Sequence, residues 1–138
     1  MAMLCMLGCT LIPSVRFTED RDTVRLARVI YALGRDESYE TKLALGTVVM
    51  NRVENDWFPD TLGEVLRDQQ QFPSGTRYDD ASLNAAHAVL AGERALPEEA
   101  LYYQYADTSA PAERIAQSGA YSFYATPSGR RAAAGGAR

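Results

Sequence analysis

The stretch "LARVIYALGRDESYETKLALGTVVMNRV", Leu26 to Val53, carries two apolar runs separated by a polar bend. The first run, extended upstream, reads "RDTVRLARVIYAL" from Arg21 to Leu33. Val24, Leu26, Ala27, Ile30 and Tyr31 recur there at the spacing of one helix face, and Asp20 or Asp22 is placed to cap it. The second run, Ser38 to Val53, puts Tyr39, Leu43, Val48, Val49 and Val53 on a similar stripe. Ser38 suits the N-cap, Glu40 suits the positive N-terminal end, and Gly46 weakens the middle. Between the runs stand Arg35, Asp36, Glu37 and Glu40. So much charge between two helices marks either a surface turn or a site.

Downstream, "NDWFPD" reads as an aromatic turn in which Trp57 and Phe58 are expected to staple the corner between helices. Thr61 and Glu64 have capping-box spacing ahead of Val65 and Leu66, so a third helix starts there. "QQQFPSGTRYDD" is a loop punctuated by Pro73 and Gly75. A fourth helix lies in "SLNAAHAVLAGE", starting from Asp79, Asp80 or Ser82 and ended by Gly92. Beyond Pro97 the texture changes. "ALYYQYA" and "AYSFYA" are aromatic and partly alternating, which predicts two short strands paired like a hairpin, with Ala110 to Gly119 as the connection. The fold class is therefore mainly α (α+β): a compact helical body with a small extended or hairpin element near the C-terminus.

The 138 residues suit one domain, and 46% apolar with 23% charged residues is the composition of an ordinary folded chain. The net charge is −4, and the tail holds Arg130, Arg131 and Arg138 without any acid, so the rest of the chain is more acidic still. That balance argues against nucleic acid as a partner, because phosphate binding needs clustered Lys and Arg. Residues 1–15 form an apolar segment too short to span a bilayer and lacking a basic n-region; they read as a signal or anchor remnant. "MLGC" loosely resembles a lipoprotein cleavage site with Cys9 as the acylated residue, and membrane contact is expected only through such an anchor. The folded domain is placed at 16–126, with a disordered tail at 127–138. Cys5, Cys9 and the distant His87 match no zinc pattern, and Asp79 with Asp80 reads as a helix cap rather than a calcium site. No metal and no cofactor is implied.

Carboxylates in the bend and rings at Tyr102, Tyr103, Tyr105, Tyr121, Phe123 and Tyr124 suit a sugar polymer, since glycosidic cleavage needs a carboxylic acid and sugar faces pack on aromatics. Tyrosines at such spacing equally fill cores. The order of the residues adds to this. "ARVIYA", the bend "RDESYE", "VVMNRV", "FP", "QF", "YYQ" and "FY" follow one another, over about Thr23 to Tyr124, in an order that resembles the spore cortex-lytic (SleB/CwlJ-type) cell-wall hydrolases. The resemblance implies a lysozyme-like or lytic-transglycosylase-like helical domain that cuts peptidoglycan glycan strands. It implies a monomer acting without a cofactor in the cell envelope or outside the cell, the spore cortex included.

The same resemblance implies a glutamate as general acid at the end of the first helix, followed by a glycine-rich turn. Here "LGRDE" occupies that place. Arg35 and Glu37 match, but the acid position is Leu33, which has no proton to give. Glu37 is the candidate replacement, one helical turn or about 5 Å further on if the helix continues. The other readings are a module that binds glycan without cleaving it, and an otherwise active enzyme in which the leucine is an introduced or erroneous change. By the same resemblance, Arg35, Gln71, Phe72, Tyr102, Tyr103, Tyr121 and Tyr124 are expected to contact substrate, Tyr121 standing where the family often has histidine. Asn51 and Arg52 are expected to fix a turn.

Overall fold

The computed structural model describes residues 21–105 and 113–127. The apolar segment 1–15 with Cys5 and Cys9, the possible cap Asp20, and the tail from 128 lie outside the described residues. Helix α1 covers 21–34. Helix α2, Tyr39–Val53, starts where expected: the Ser38 hydroxyl accepts from the Thr41 N–H at 3.2 Å. Helix α3 is a single turn, Leu62–Val65, and Thr61 both accepts from the Glu64 N–H at 3.3 Å and donates to its carboxylate at 3.1 Å. Helix α4, Asp80–Leu90, is capped by Asp79, which accepts from the Ser82 N–H at 2.8 Å. Gly92, at φ +111°, follows it in the left-handed region that favours glycine.

Helix α2 is not the two-faced helix expected from its pattern. It is buried almost all round from Thr41 to Val49, while Tyr39 is exposed. The reason is its central position: α1 and α4 pack on one side and a sheet on the other. At Gly46 the neighbouring helices leave little room for a side chain, since a Cβ there would lie 3.1 Å from Val89 and 3.2 Å from Ile30. The hydroxyl of Thr47 donates to the Leu43 carbonyl at 2.7 Å and accepts from the Ala95 N–H at 3.0 Å, so this polar residue is buried at little cost.

The sheet has three antiparallel strands rather than two. β1 is Tyr102–Tyr105, β2 is Arg114–Ser118 and β3 is Tyr121–Tyr124, in the order β1-β3-β2. Tyr103 faces Phe123, and Gln117 faces Ser122. The expected pairing of the two aromatic segments is present, but the tight hairpin is β2–β3, turning at Gly119 and Ala120. The stretch expected to be a connection contains β2: "RIAQS" has few strand-forming residues, so its sequence does not announce a strand, and its pairing with β3 decides its state. All four residues of β3 are buried, and burial of a ring such as Phe123 contributes about 1.5–3 kcal/mol.

Two apolar clusters result. One joins the four helices through Leu26, Ile30, Leu43, Val49, Val65 and Val89, with Phe72 of the loop after α3; the other joins α2 to the sheet through Leu45, Val48, Tyr121 and Phe123. Leu33 and Tyr103 pack against both. The corner staple fails: Trp57 is 91% exposed. Phe58 turns inward alone, onto Tyr102 at 6.0 Å between ring centres.

Candidate active site

The bend closes over a buried lysine. The Lys42 ammonium donates to the carbonyls of Arg35 at 3.2 Å and Glu37 at 2.7 Å, while the Glu37 N–H bonds the Gly34 carbonyl at 3.0 Å. α1 therefore stops at 34, and Glu37 sits in the turn rather than one helical turn beyond Leu33. Its carboxylate crosses to the β2–β3 turn and accepts from the Ala120 N–H at 3.4 Å. Gly119, at φ +57°, lies beneath it, and a Cβ there would overlap the carboxylate oxygen.

Two further ties hold bend and hairpin together. The Thr41 and Ser118 hydroxyls bond each other at 2.7 Å, and Thr41 also meets the Ser38 hydroxyl at 3.1 Å. The Tyr121 hydroxyl donates to the Leu33 carbonyl at 2.6 Å. Burial pushes the Tyr121 phenol above its usual range, and Tyr103, Glu37 and Tyr105 add to the shift, so this donor keeps its proton. Leu33 itself is half-buried, with its side chain on the seam between the two apolar clusters. Arg35 is exposed and lies 3.9 Å from the Asp36 carboxylate.

A second group forms around Arg52, whose side chain is 1% exposed. Its Nε donates to the Leu101 carbonyl at 2.7 Å, its Nη2 donates to the Gln71 side-chain oxygen at 2.9 Å, and Asp68 lies 3.8 Å away. The rings of Phe58, Phe72 and Tyr102 surround the guanidinium at 4.7–5.0 Å. Burial pulls the Arg52 pKa down, and Tyr102, Asp68 and Tyr103 oppose that shift. Asn51 donates to the carbonyls of Pro97 at 2.8 Å and Ala100 at 3.0 Å, so the Asn51–Arg52 pair fastens the 97–101 turn.

The expected substrate contacts thus divide. Leu33, Arg35, Glu37 and Tyr121 meet at the bend. Tyr103 adjoins them, 5.7 Å from Tyr121 between ring centres, and its hydroxyl donates to the Gln71 carbonyl. Gln71, Phe72 and Tyr102 belong to the Arg52 group. Three assignments need correction: Phe72 at 1%, Tyr121 at 3% and Tyr124 at 2% exposure offer no free ring face. Phe72 packs in the helical core beside the guanidinium, and the other two belong to the central strand. The exposed rings beside the bend are instead Tyr39 and Tyr105, the latter 63% exposed and 5.2 Å from Tyr121 between ring centres. Lys42, Thr41, Ser118 and Gly119 were also not foreseen. The signal for Lys42 was a lone cation within an otherwise buried helical run. Among the described residues, no group of three or more His, Cys, Asp and Glu is placed to hold a metal ion.

The pattern of the cell wall hydrolase family matches residues 36–125, beginning just after Leu33 and ending just after β3. The chain belongs to the cell wall hydrolase family. A spore cortex-lytic enzyme of Bacillus subtilis (strain 168) is 32% identical over an alignment of 95 residues that covers 65% of this chain and 31% of that protein. The chain thus spans about a third of the length of that relative. Two solved structures share the fold of this family member. The catalytic domain of the Bacillus cereus SleB protein matches with a TM-score of 0.66 and 24% identity, over 75% of this chain and 88% of its own. The catalytic domain of the germination-specific lytic transglycosylase SleB from Bacillus anthracis matches at 0.67 and 23%, over 76% and 94%.

Proposed function

We propose that the chain is a peptidoglycan-cleaving glycosidase of the spore cortex-lytic type, a muramidase or lytic transglycosylase, whose turnover is weak or absent because Leu33 occupies the acid position. Membership of the cell wall hydrolase family supports the substrate class, and the cell envelope is then where it acts. The observation that carries the loss of turnover is the placement of Glu37. A general acid must come within hydrogen-bond reach of the leaving oxygen. The Glu37 carboxylate is turned to the Ala120 N–H of the hairpin, and Leu33 supplies no carboxylate in its stead. The half-buried leucine also favours a second reading, a glycan-binding module without chemistry. In either case Tyr39 and Tyr105 are the exposed rings on which sugar faces would stack.

The test uses purified peptidoglycan, with co-sedimentation for binding and release of soluble muropeptides for turnover. The native chain is expected to sediment with the polymer. Leu33→Glu is expected to release product about a hundred- to ten-thousand-fold faster than the native chain, the usual contribution of a general acid. Binding in both proteins with turnover in neither selects the module. A native chain as fast as Leu33→Glu would overturn the assignment of the acid position, and failure of both proteins to bind or cleave would remove peptidoglycan altogether.

A further inference from the structure

Away from the bend, α1, α3 and the loop at 73–75 border an open cleft of about 320 Å³. Arg25 and Arg28 of α1 and Arg67 just past α3 line it, with Gly63, Ser74 and Gly75. Among the described residues no Asp or Glu lines it, in a chain whose net charge is −4. Among the described residues, Arg25 pairs with Asp22 in an exposed contact at 3.8 Å, and such pairs hold little energy. The Nε of Arg28 is buried without a hydrogen-bond partner among the described residues, a state that native proteins rarely leave unanswered. The glycines leave room for this arrangement: a Cβ at Gly63 would lie 2.9 Å from the Arg25 guanidinium, and one at Gly75 would lie 3.0 Å from the Arg28 carbonyl.

We propose that this cleft binds an oxyanion group, a carboxylate or a phosphate, carried on an extended anionic polymer. The planar donor fork of arginine matches both groups, and an anion relieves the mutual repulsion of three guanidiniums that line one cleft. Arg28 precedes Leu33 by five residues, about 7.5 Å along the helix axis and about 140° around it, so a polymer that reaches both places wraps around α1. The choice of polymer rests on the cell-envelope reading above; the anion site does not. Two envelope polymers carry the required chemistry: peptidoglycan through its peptide-stem carboxylates, and phosphodiester polymers attached to it.

The test is an amide NMR titration of the whole chain with three probes: inorganic phosphate, an N-acetylated dipeptide with a free C-terminal carboxylate, and the same dipeptide amidated. Phosphate and the free-acid peptide are expected to shift the amides of Gly63, Ser74 and Gly75, and the amidated peptide is not. Arg67→Ala, at an exposed position where folding is not at risk, is expected to weaken anion binding about tenfold, the loss of one charge-assisted contact. Co-sedimentation with peptidoglycan stripped either of its phosphodiester polymers or of its peptide stems then identifies the source, as the preparation on which dependence on Arg67 disappears. The assignment is overturned if neither anion moves these amides, if the amidated peptide binds equally well, or if Arg67→Ala changes nothing. Anion binding beside an inert Leu33→Glu defeats the glycosidase reading alone; an active Leu33→Glu with silent amides here defeats the cleft alone.

Discussion

Replacing Gly119 with alanine tests how the bend is held to the hairpin. At φ +57° an alanine costs about 1 kcal/mol more than glycine. The new Cβ would overlap the Glu37 carboxylate and come 2.9 Å from the Thr41 hydroxyl. Making room for an extra methyl in a filled site costs about 1–3 kcal/mol. The carboxylate must also give up the Ala120 N–H, a long bond at 3.4 Å and so a small loss. The total is about 2–4 kcal/mol, a large part of the roughly 5–15 kcal/mol that stabilises a domain. In a Glu37→Ala background most of the overlap is gone, and the same change is expected to cost about 1–2 kcal/mol, a coupling of about 1–2 kcal/mol between the two positions. Urea unfolding of the four proteins at neutral pH, followed by far-ultraviolet circular dichroism, measures this directly; Trp57 is too exposed to report by fluorescence. Equal cost in both backgrounds would refute the view that the carboxylate fills the space above the turn.

Arg52→Met is expected to lower stability by about 3–5 kcal/mol, because the Leu101 carbonyl and Gln71 side chain lose their donor; a loss below about 1 kcal/mol in urea would contradict this. Asp79→Ala is expected to cost about 1 kcal/mol as a lost N-cap. Hydrogen bonding from Ser82 holds the Asp79 carboxyl below its usual range, so its stabilisation is complete above about pH 4, where the unfolded group is ionised, and fades as pH falls through the lower folded value. Unfolding midpoints of the two proteins should therefore converge in acid. Tyr121→Phe leaves the Leu33 carbonyl without its donor and is expected to cost about 1–3 kcal/mol. Because the folded phenol titrates above its unfolded value, that difference should hold below about pH 10 and shrink at higher pH.

The helices were legible because their signals are local. Ser38 and Thr61 cap the helices they were expected to cap, Asp79 is the cap among the three residues that could start the last helix, and Gly92 follows it. Burial was less legible, because it depends on which element lies in the middle. Helical spacing suggested one apolar face for α2, yet Thr41, Lys42 and Thr47 are buried with it, each satisfied by partners the pattern does not show. The same limit applies to the rings. Phe72, Tyr121 and Tyr124 fall in a recognisable order along the chain, but order does not say which side of the sheet or loop faces water. Tyr105 was one ring among six in the sequence, and its place beside the bend, like that of Gly119, follows from the position of β3.

The strand order has a consequence for how the molecule comes into being. β1 and β2 touch only through β3, and β3 comes last in the chain among the described elements. As the polypeptide leaves the ribosome, the helices can collapse on one another while the two outer strands still lack a common neighbour. Until residues 121–124 emerge, Tyr121 cannot reach the Leu33 carbonyl and the Ala120 N–H cannot reach Glu37. A chain interrupted shortly before Tyr121 would thus have no formed site, whatever residue stood at position 33.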